Sequence, residues 1–481
     1  CPVRAAIERA EEAAVHNDVD TALTQFLQAV TNHPDAEYAL RRLDEFWFDA
    51  GQRARLTNEL QARLPVLDMP AQRLARDMLA TAHRSLGNHD NAAAQFAALA
   101  PLTNWLIVGG FDNAERAGLG TTFPPEANLG RTETYDGKQW PVQWRPALPL
   151  RSSYAVDLQL VRPDSWLTVY LRTGLLAPTG MQVMIFTEFP GAFRVWLNGV
   201  PLAEETRYRT SCSDSYAIPA ALAAGTNLLV FKLSAEHNDC PLLARLALPD
   251  GTPLFLENIQ PDDTSIPLAC GATSAWPRTL LSPGTRRWKA ARAAAADDED
   301  AALMLARYYA VTRRDEDAVA VYETLLERAE LSAADLHRLG ECHARKESQS
   351  QAVAMYRRAC GQDPAANAAR VAIGRHYLDR GMYDLALPLL HEALATSSND
   401  LAARLALTAL YRAREWHEDA LRLAQETCAL FPLHESAHDE AARTASAASY
   451  DAIAEAAYLA ALACRPAAYA ERDSLIRLYQ R

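Results

Sequence analysis

A chain of 481 residues with 49% apolar content is too long for one hydrophobic core and reads as about three folded domains. No run of 18 apolar residues occurs, which excludes a membrane-spanning helix. The net charge of −12 and the scattered lysines (Lys138, Lys232, Lys289, Lys346) argue against a phosphate backbone as partner, so nucleic acid is not expected.

The chain begins at Cys1 without a methionine. Bacterial lipoproteins begin similarly, at a cysteine whose thiol carries a diacylglycerol, and usually continue into a tether; several acyl chains on one residue would hold a protein at a membrane. The other reading is an arbitrary starting point. Segment 1–103 then shows divergent helical repeats. Ala22, Phe26, Ala29 and Pro34 fit one second helix, and Ala80, His83, Ala92 and Phe96 fit a later hairpin, whereas Phe46, Trp47 and Phe48 fit poorly.

From about 104 to 275 the apolar period changes from 3.6 to 2, with strands expected at 154–161, 166–172, 181–187, 193–197, 228–233 and 242–248. Turn signals such as Asn198-Gly199 and Ala224-Gly225, and no helical stretch long enough for a crossover, predict an antiparallel sandwich. Cys212 and Cys240 are the disulfide candidates of this segment, with Cys270 competing for either. Glu236-His-Asn-Asp239 is a polar loop or a cation site, and Gly118-Leu-Gly120 lacks the third glycine of a dinucleotide fold. Phe-Arg-Val-Trp-Leu-Asn-Gly at 193–199, with Leu-Ala-Ala-Gly-Thr-Asn-Leu-Leu-Val at 222–230, resembles the jelly-roll, galactose-binding-like modules that accompany many glycosidases. There the Asn-Gly makes a hairpin turn and the later asparagine leads into a core strand. The entry, Trp105-Leu-Ile-Val-Gly-Gly-Phe-Asp-Asn113, then Phe123-Pro-Pro-Glu126 and Trp144-Arg145, is similar to bacterial envelope proteins that join helical repeats to a β-sandwich and often to a transglutaminase-like domain, of which no segment is recognised here.

After a linker at 276–298, the run Asp297-Asp-Glu-Asp300 reads as a helix start, where acid complements the dipole. Segment 299–481 is then periodic. Ala318, Ala352, Ala386, Ala420 and Ala454 lie 34 residues apart, and Tyr322, Tyr356, Leu390, Ala424 and Tyr458 follow each by four. Tyr309, His343, Tyr377 and Tyr411 keep that register, as do the small residues Ala306, Gly340, Gly374 and Thr408; Pro364, Pro432 and Pro466 end three units. Small residues where helices cross and aromatics between hairpins are the marks of stacked helical hairpins, and the pattern resembles the tetratricopeptide repeat (TPR). Departures are Glu330 and Ser398 at the proline position and Ala445 at the tyrosine position. A last amphipathic helix at 471–479 is expected as a cap. Cys342, Cys360, Cys428 and Cys464 fall within helices and read as small buried hydrophobes.

His434-Glu435-Ser-Ala-His438 has the HExxH spacing of zinc proteases. It straddles a repeat boundary without a nearby strand, so a chance occurrence is the preferred reading. The TPR resemblance implies that positions 2, 5, 9 and 12 of each first helix line a concave peptide groove. That places Arg307, His337, Glu341, Arg375 and Arg412 in a protein-binding groove with Leu303, Val371, Leu378 and Leu405, its arginines suited to an acidic segment.

The expected fold is a multidomain α and β protein in which TPR α-solenoids flank an antiparallel β-sandwich of jelly-roll type. The expected function is a non-catalytic scaffold that joins other proteins of a bacterial envelope complex, with Cys1 as lipid attachment site and no cofactor or metal. The alternative is a carbohydrate-binding protein in which Trp196, Trp166 or Tyr208 stacks on sugar; an enzyme, such as a zinc protease, comes third.

Overall fold

The computed structural model describes residues 1–46, 48–129, 133–150, 153–208, 216–260, 268, 282–295, 297–466 and 468–480. They form two compact units, Cys1–Asn88 with Arg287–Arg481, and His89–Arg286.

The chain opens with five helices: α1 (Pro2–Val15), α2 (Val19–Ala29), α3 (Ala36–Asp44), α4 (Ala50–Arg63) and α5 (Met69–Ser85). Proline occupies the first turn of α1, where its missing N–H costs nothing, and Ala6, Ile7, Ala10 and Ala13 bury one stripe at helical spacing. Asp18, Asp49 and Asp68 each accept an N–H of the helix that follows, and Gln52 completes a capping box with Asp49. Phe46 packs against Phe26 and Phe48, with centroids 5.9 and 5.7 Å away; Trp47 lies outside the described residues.

The second unit starts with α6 (His89–Ala97) and continues as strands β1 (Leu106–Asp112), β2 (Thr134–Asp136), β3 (Pro141–Gln143), β4 (Arg145–Pro146), β5 (Ser165–Ala177), β6 (Met181–Glu188), β7 (Ala192–Leu197), β8 (Val200–Glu205), β9 (Tyr216–Leu222), β10 (Gly225–His237), β11 (Leu243–Ala247) and β12 (Glu257–Ile259). Among the described residues these strands form three antiparallel sheets, a large one ordered β4-β1-β5-β10-β7-β8 with β12 on β5, a second ordered β11-β6-β9, and the small pair β2-β3; the first two stack. Their facing side chains, among them Val169, Leu171, Phe193 and Phe231 from the first and Val183, Ile185, Ile218 and Leu246 from the second, share one core. This is the expected antiparallel sandwich. Asn198 and Gly199 both take positive φ in the β7–β8 turn, as a two-residue hairpin with the twist of its strands requires. Asn227 is fully buried and ties Asn198 to the backbone at 223 and 225. The stretch 154–161, read as a strand, makes only two isolated bridges, from Val156 to Pro149 and to Leu242; Asp157 there accepts from the Gln159 amide and breaks the extended run.

The large sheet is also covered on its outer face. Val108, Phe111, Tyr170, Trp196 and Val230 form a second core with Leu129, Tyr135, Trp144 and Leu268. Lys232 is fully buried here, donating to Glu126 (2.7 Å) and to the Thr121 carbonyl (2.6 Å), and Tyr170 donates to the same carboxylate. Burial on both faces explains why β5 and β10 read as almost continuous apolar runs.

The remaining helices are α7 (Pro283–Ala294), α8 (Glu299–Val311), α9 (Asp315–Leu326), α10 (Ala333–Arg345), α11 (Gln349–Gln362), α12 (Asn367–Asp379), α13 (Tyr383–Thr396), α14 (Leu401–Ala413), α15 (His417–Leu430), α16 (Glu435–Ala447), α17 (Asp451–Cys464) and α18 (Tyr469–Tyr479). From α8 onward each hairpin starts 34 residues after the one before, and the C-terminal helices fit a TPR-like solenoid. Asp298, Ser332 and Asp400 cap first helices through their side chains. Each hairpin turn places one residue at positive φ: Arg313, Glu347, Gly381, Glu415 and Ser449, again at the 34-residue period.

The small residues have the role their spacing suggests. A Cβ built on Gly340 would lie 2.4 Å from the Tyr356 ring, and one on Gly374 would lie 2.8 Å from Leu390. Each glycine thus lets a second helix seat its large side chain. Gly340→Val is expected to lower stability by ~1–3 kcal/mol through overpacking, and chemical denaturation followed by circular dichroism would register it. An unchanged midpoint would mean that Tyr356 repacks freely.

Candidate functional site

First helices of the repeats line two cavities, and residues of the N-terminal helices of the same unit share their walls. Arg307, on α8, is 2% exposed and forms paired bonds with Asp335 of α10 (2.7 and 2.9 Å) and with Glu8 of α1 (2.5 and 3.0 Å). Arg338, on α10, reaches Glu45 at 2.8 Å, Glu341 at 3.0 Å and Glu11 of α1 at 3.7 Å. Glu11 also accepts from Arg42 and Tyr38, each at 2.6 Å. Burial pushes the Glu11 carboxyl up, but Arg42 and Arg338 outweigh it and bring the pKa down to about 2. The Glu341 carboxyl is also held low, Arg338 and His337 outweighing burial; burial lowers His337 itself. His337 and Glu341 border a cavity of about 250 Å³ together with Glu11, Arg42, Glu45 and Arg338. The first half of the expected groove is therefore filled by α1 and α3 and locked by buried ion pairs.

The second half is open. A cavity of about 780 Å³ lies against α12, α14 and α16, with Asn17, Val19 and Phe46 also contributing to its wall. Arg375, Leu378, Leu405 and Arg412 line it, as does Ala409. Val371 instead lies in the core with Leu390 and Leu407, and Leu303 is half-buried and not among the lining residues. Extending positions 2, 5 and 9 to α16 gives Ser436, Asp439 and Arg443, which also line the cavity. The sequence reading stopped one repeat short of them. Asn17 and Phe46 carried no such signal, because their placement depends on contacts across several hundred residues.

Charge in this chamber is uneven. Arg375 is exposed and makes no ion pair among the described residues, whereas Arg412 is bound to Glu440 at 3.0 Å and Arg443 to Asp439 at 2.7 Å. Asp400 caps α14 and accepts from Asn17. Burial pushes the Asp439 carboxyl up to about 6 against the pull of Arg443, with Glu471 and Glu440 adding to the rise. Burial also raises Glu440.

The HExxH residues are committed elsewhere. Glu435 is 2% exposed, with Arg53 and Arg465 at 3.1 and 3.0 Å, and the His438 Nε2 donates to the Pro432 carbonyl at 2.9 Å. Among the described residues no group of three or more His, Cys, Asp or Glu side chains is placed to hold a metal ion.

Cys240 is a half-buried free thiol, whereas Cys212 and Cys270 lie outside the described residues. Of the helix cysteines, Cys342 and Cys464 are buried and Cys360 and Cys428 half-buried, all as free thiols. Cys1 is exposed, its sulfur 3.5 Å from His33 Nε2. Trp196 corrects the aromatic reading: it is fully buried in the outer core of the large sheet and has no face for a sugar. Tyr208 is tied to Asn113 with Arg116 over its ring, and Trp166 is 38% exposed.

No family model and no curated protein matches the chain. Solved structures similar to it include the C-terminal part of a TPR repeat-containing protein from Cytophaga hutchinsonii, at 17% identity over 37% of this chain and 72% of that one, with a TM-score of 0.34. A tetratricopeptide repeat protein from Parabacteroides merdae is 16% identical over 41% of this chain and 78% of its own, with a TM-score of 0.37. YrrB, described as a TPR protein with an unusual peptide-binding site, is 19% identical over 40% of this chain and 98% of its own, with a TM-score of 0.32. The TPR assignment of the C-terminal helices rests on this chain's own 34-residue period and hairpin geometry.

Proposed function

We propose that the protein is a non-catalytic scaffold whose helical unit holds a short segment of a partner protein in the chamber against α12, α14 and α16. The chamber itself supports this reading: about 780 Å³, with Leu378, Leu405, Ala406 and Ala409 as apolar surface and charged side chains around them. Such a volume and mixture suit a bound segment of a few residues. The α1 and α3 helices leave no long open cradle, so the segment is short. A photoreactive amino acid in place of Ala409 is expected to cross-link a defined partner peptide, identified by mass spectrometry. Ala409→Trp, which fills the space, is expected to abolish partner retention while circular dichroism stays unchanged. Retention unaffected by the tryptophan would remove the chamber from the reading.

The same proposal places the protein at a bacterial envelope, in a complex with other proteins and attached through lipid on Cys1. The α1 helix begins at Pro2 and is already buried at Ala6, so an acyl group on Cys1 would hold the helical unit directly against the bilayer. Intact mass of protein from native membranes tests this part separately: an unmodified Cys1 removes the anchor and leaves the chamber standing.

A further inference from the structure

We propose that the chamber selects a lysine or arginine within the segment it holds. The inference rests on the chamber being the partner site and concerns what that site recognises. Six carboxylates line it (Asp379, Asp400, Glu435, Asp439, Glu440 and Glu471) against three guanidiniums, Arg375, Arg412 and Arg443. Some of this acid is consumed internally. Asp400 is a helix cap, and Glu435 is held by Arg53 and Arg465, neither of which lines the cavity.

The carboxylates of α16 and α18 are less well served. Asp439 and Glu440 each have one arginine within 4 Å among the described residues, and burial still raises both against the pull of the arginines. Glu471 is the decisive group. It is 7% exposed, and its Oε2 is buried and accepts no hydrogen bond among the described residues. The nearest cation, Arg465, stands 3.9 Å from the other oxygen, beyond hydrogen-bonding distance. A buried carboxylate oxygen without a donor is costly, and an entering ammonium or guanidinium supplies the missing donor and charge together. The aliphatic stem of lysine or arginine also suits a cavity lined by Leu378, Leu405 and Ala409 beside its charged groups. An acidic segment, which the arginines alone would suggest, finds Arg412 and Arg443 already paired and adds charge of the sign in excess.

The experiment is fluorescence anisotropy with labelled hexapeptide mixtures, each with one position fixed as lysine, arginine, leucine or glutamate, on the full chain and on its Glu471→Gln and Asp439→Asn variants. The lysine or arginine mixtures are expected to bind at least about tenfold more tightly than the glutamate mixture, roughly 1.4 kcal/mol. Either substitution is expected to reduce that preference severalfold. Glutamate mixtures that bind as tightly, or a preference indifferent to both substitutions, would overturn the charge selection and leave the chamber reading in place. Binding of spermidine with no peptide mixture bound would overturn a peptide as the occupant. If neither spermidine nor any mixture binds, the chamber reading fails as well.

Discussion

Arg338→Ala is expected to destabilise the helical unit by ~3–5 kcal/mol, the range for removing one partner from a buried ion pair. Arg338 is 4% exposed and is shared by Glu11, Glu45 and Glu341. Its loss leaves Glu11 to Arg42, and Glu45 to Arg42 and to Arg313 at 3.5 Å. Those carboxylates lie on or just after α1 and α3, the elements that fill the first half of the groove. The loss should therefore first release the N-terminal helices. Urea denaturation followed by helical circular dichroism gives the magnitude, and hydrogen exchange at α1 gives the location. A loss below ~1 kcal/mol would show that the apolar stripe of α1, with Ile7 and Ala10 almost fully buried, holds the helices alone. Replacing the arginine and its carboxylates together by apolar residues of similar size is expected to cost much less, because the penalty comes from stranded charge rather than from lost attraction.

This network also marks where sequence reasoning stops. The 34-residue period was legible because each hairpin buries its stripe against its neighbours, so Gly340 and Tyr356 announce their contact from 16 positions apart. The sandwich was legible because turn chemistry is local, as at Asn198-Gly199. Glu8 and Arg307 are 299 positions apart, and no periodicity links them; each alone resembles a solvated charge on a helix face. Of the groove positions on α12 and α14, Arg375, Leu378, Leu405 and Arg412 line the chamber and Val371 lies in the core, and nothing in the repeat signals that α1 and α3 fill the space in front of α8 and α10. Trp196 failed for a related reason. Its strand has a second core on the outer face, supplied by a segment with few strand signals of its own.

Acid titration separates two carboxylates of opposite behaviour in the same unit. Glu11 has its folded pKa depressed to about 2 from 4.5. Its contribution is fully present above the unfolded value and is lost as pH falls from about 4.5 to about 2, on the order of 3 kcal/mol. Asp439 is raised from 3.8 to about 6. The folded state therefore takes up its proton first, and stability contributed at this site rises as pH falls from about 6 to about 4. Comparing each variant with the parent isolates the two groups. Glu11→Gln is expected to flatten the acid limb below pH 4.5, and Asp439→Asn to remove the gain between pH 6 and pH 4. Binding of a lysine peptide should run against the second effect, because protonating Asp439 removes a charge that a cation would meet, so affinity should fall through about pH 6 while stability rises. Affinity and stability falling together in that window would show that the group being titrated supports the fold and does not face the ligand.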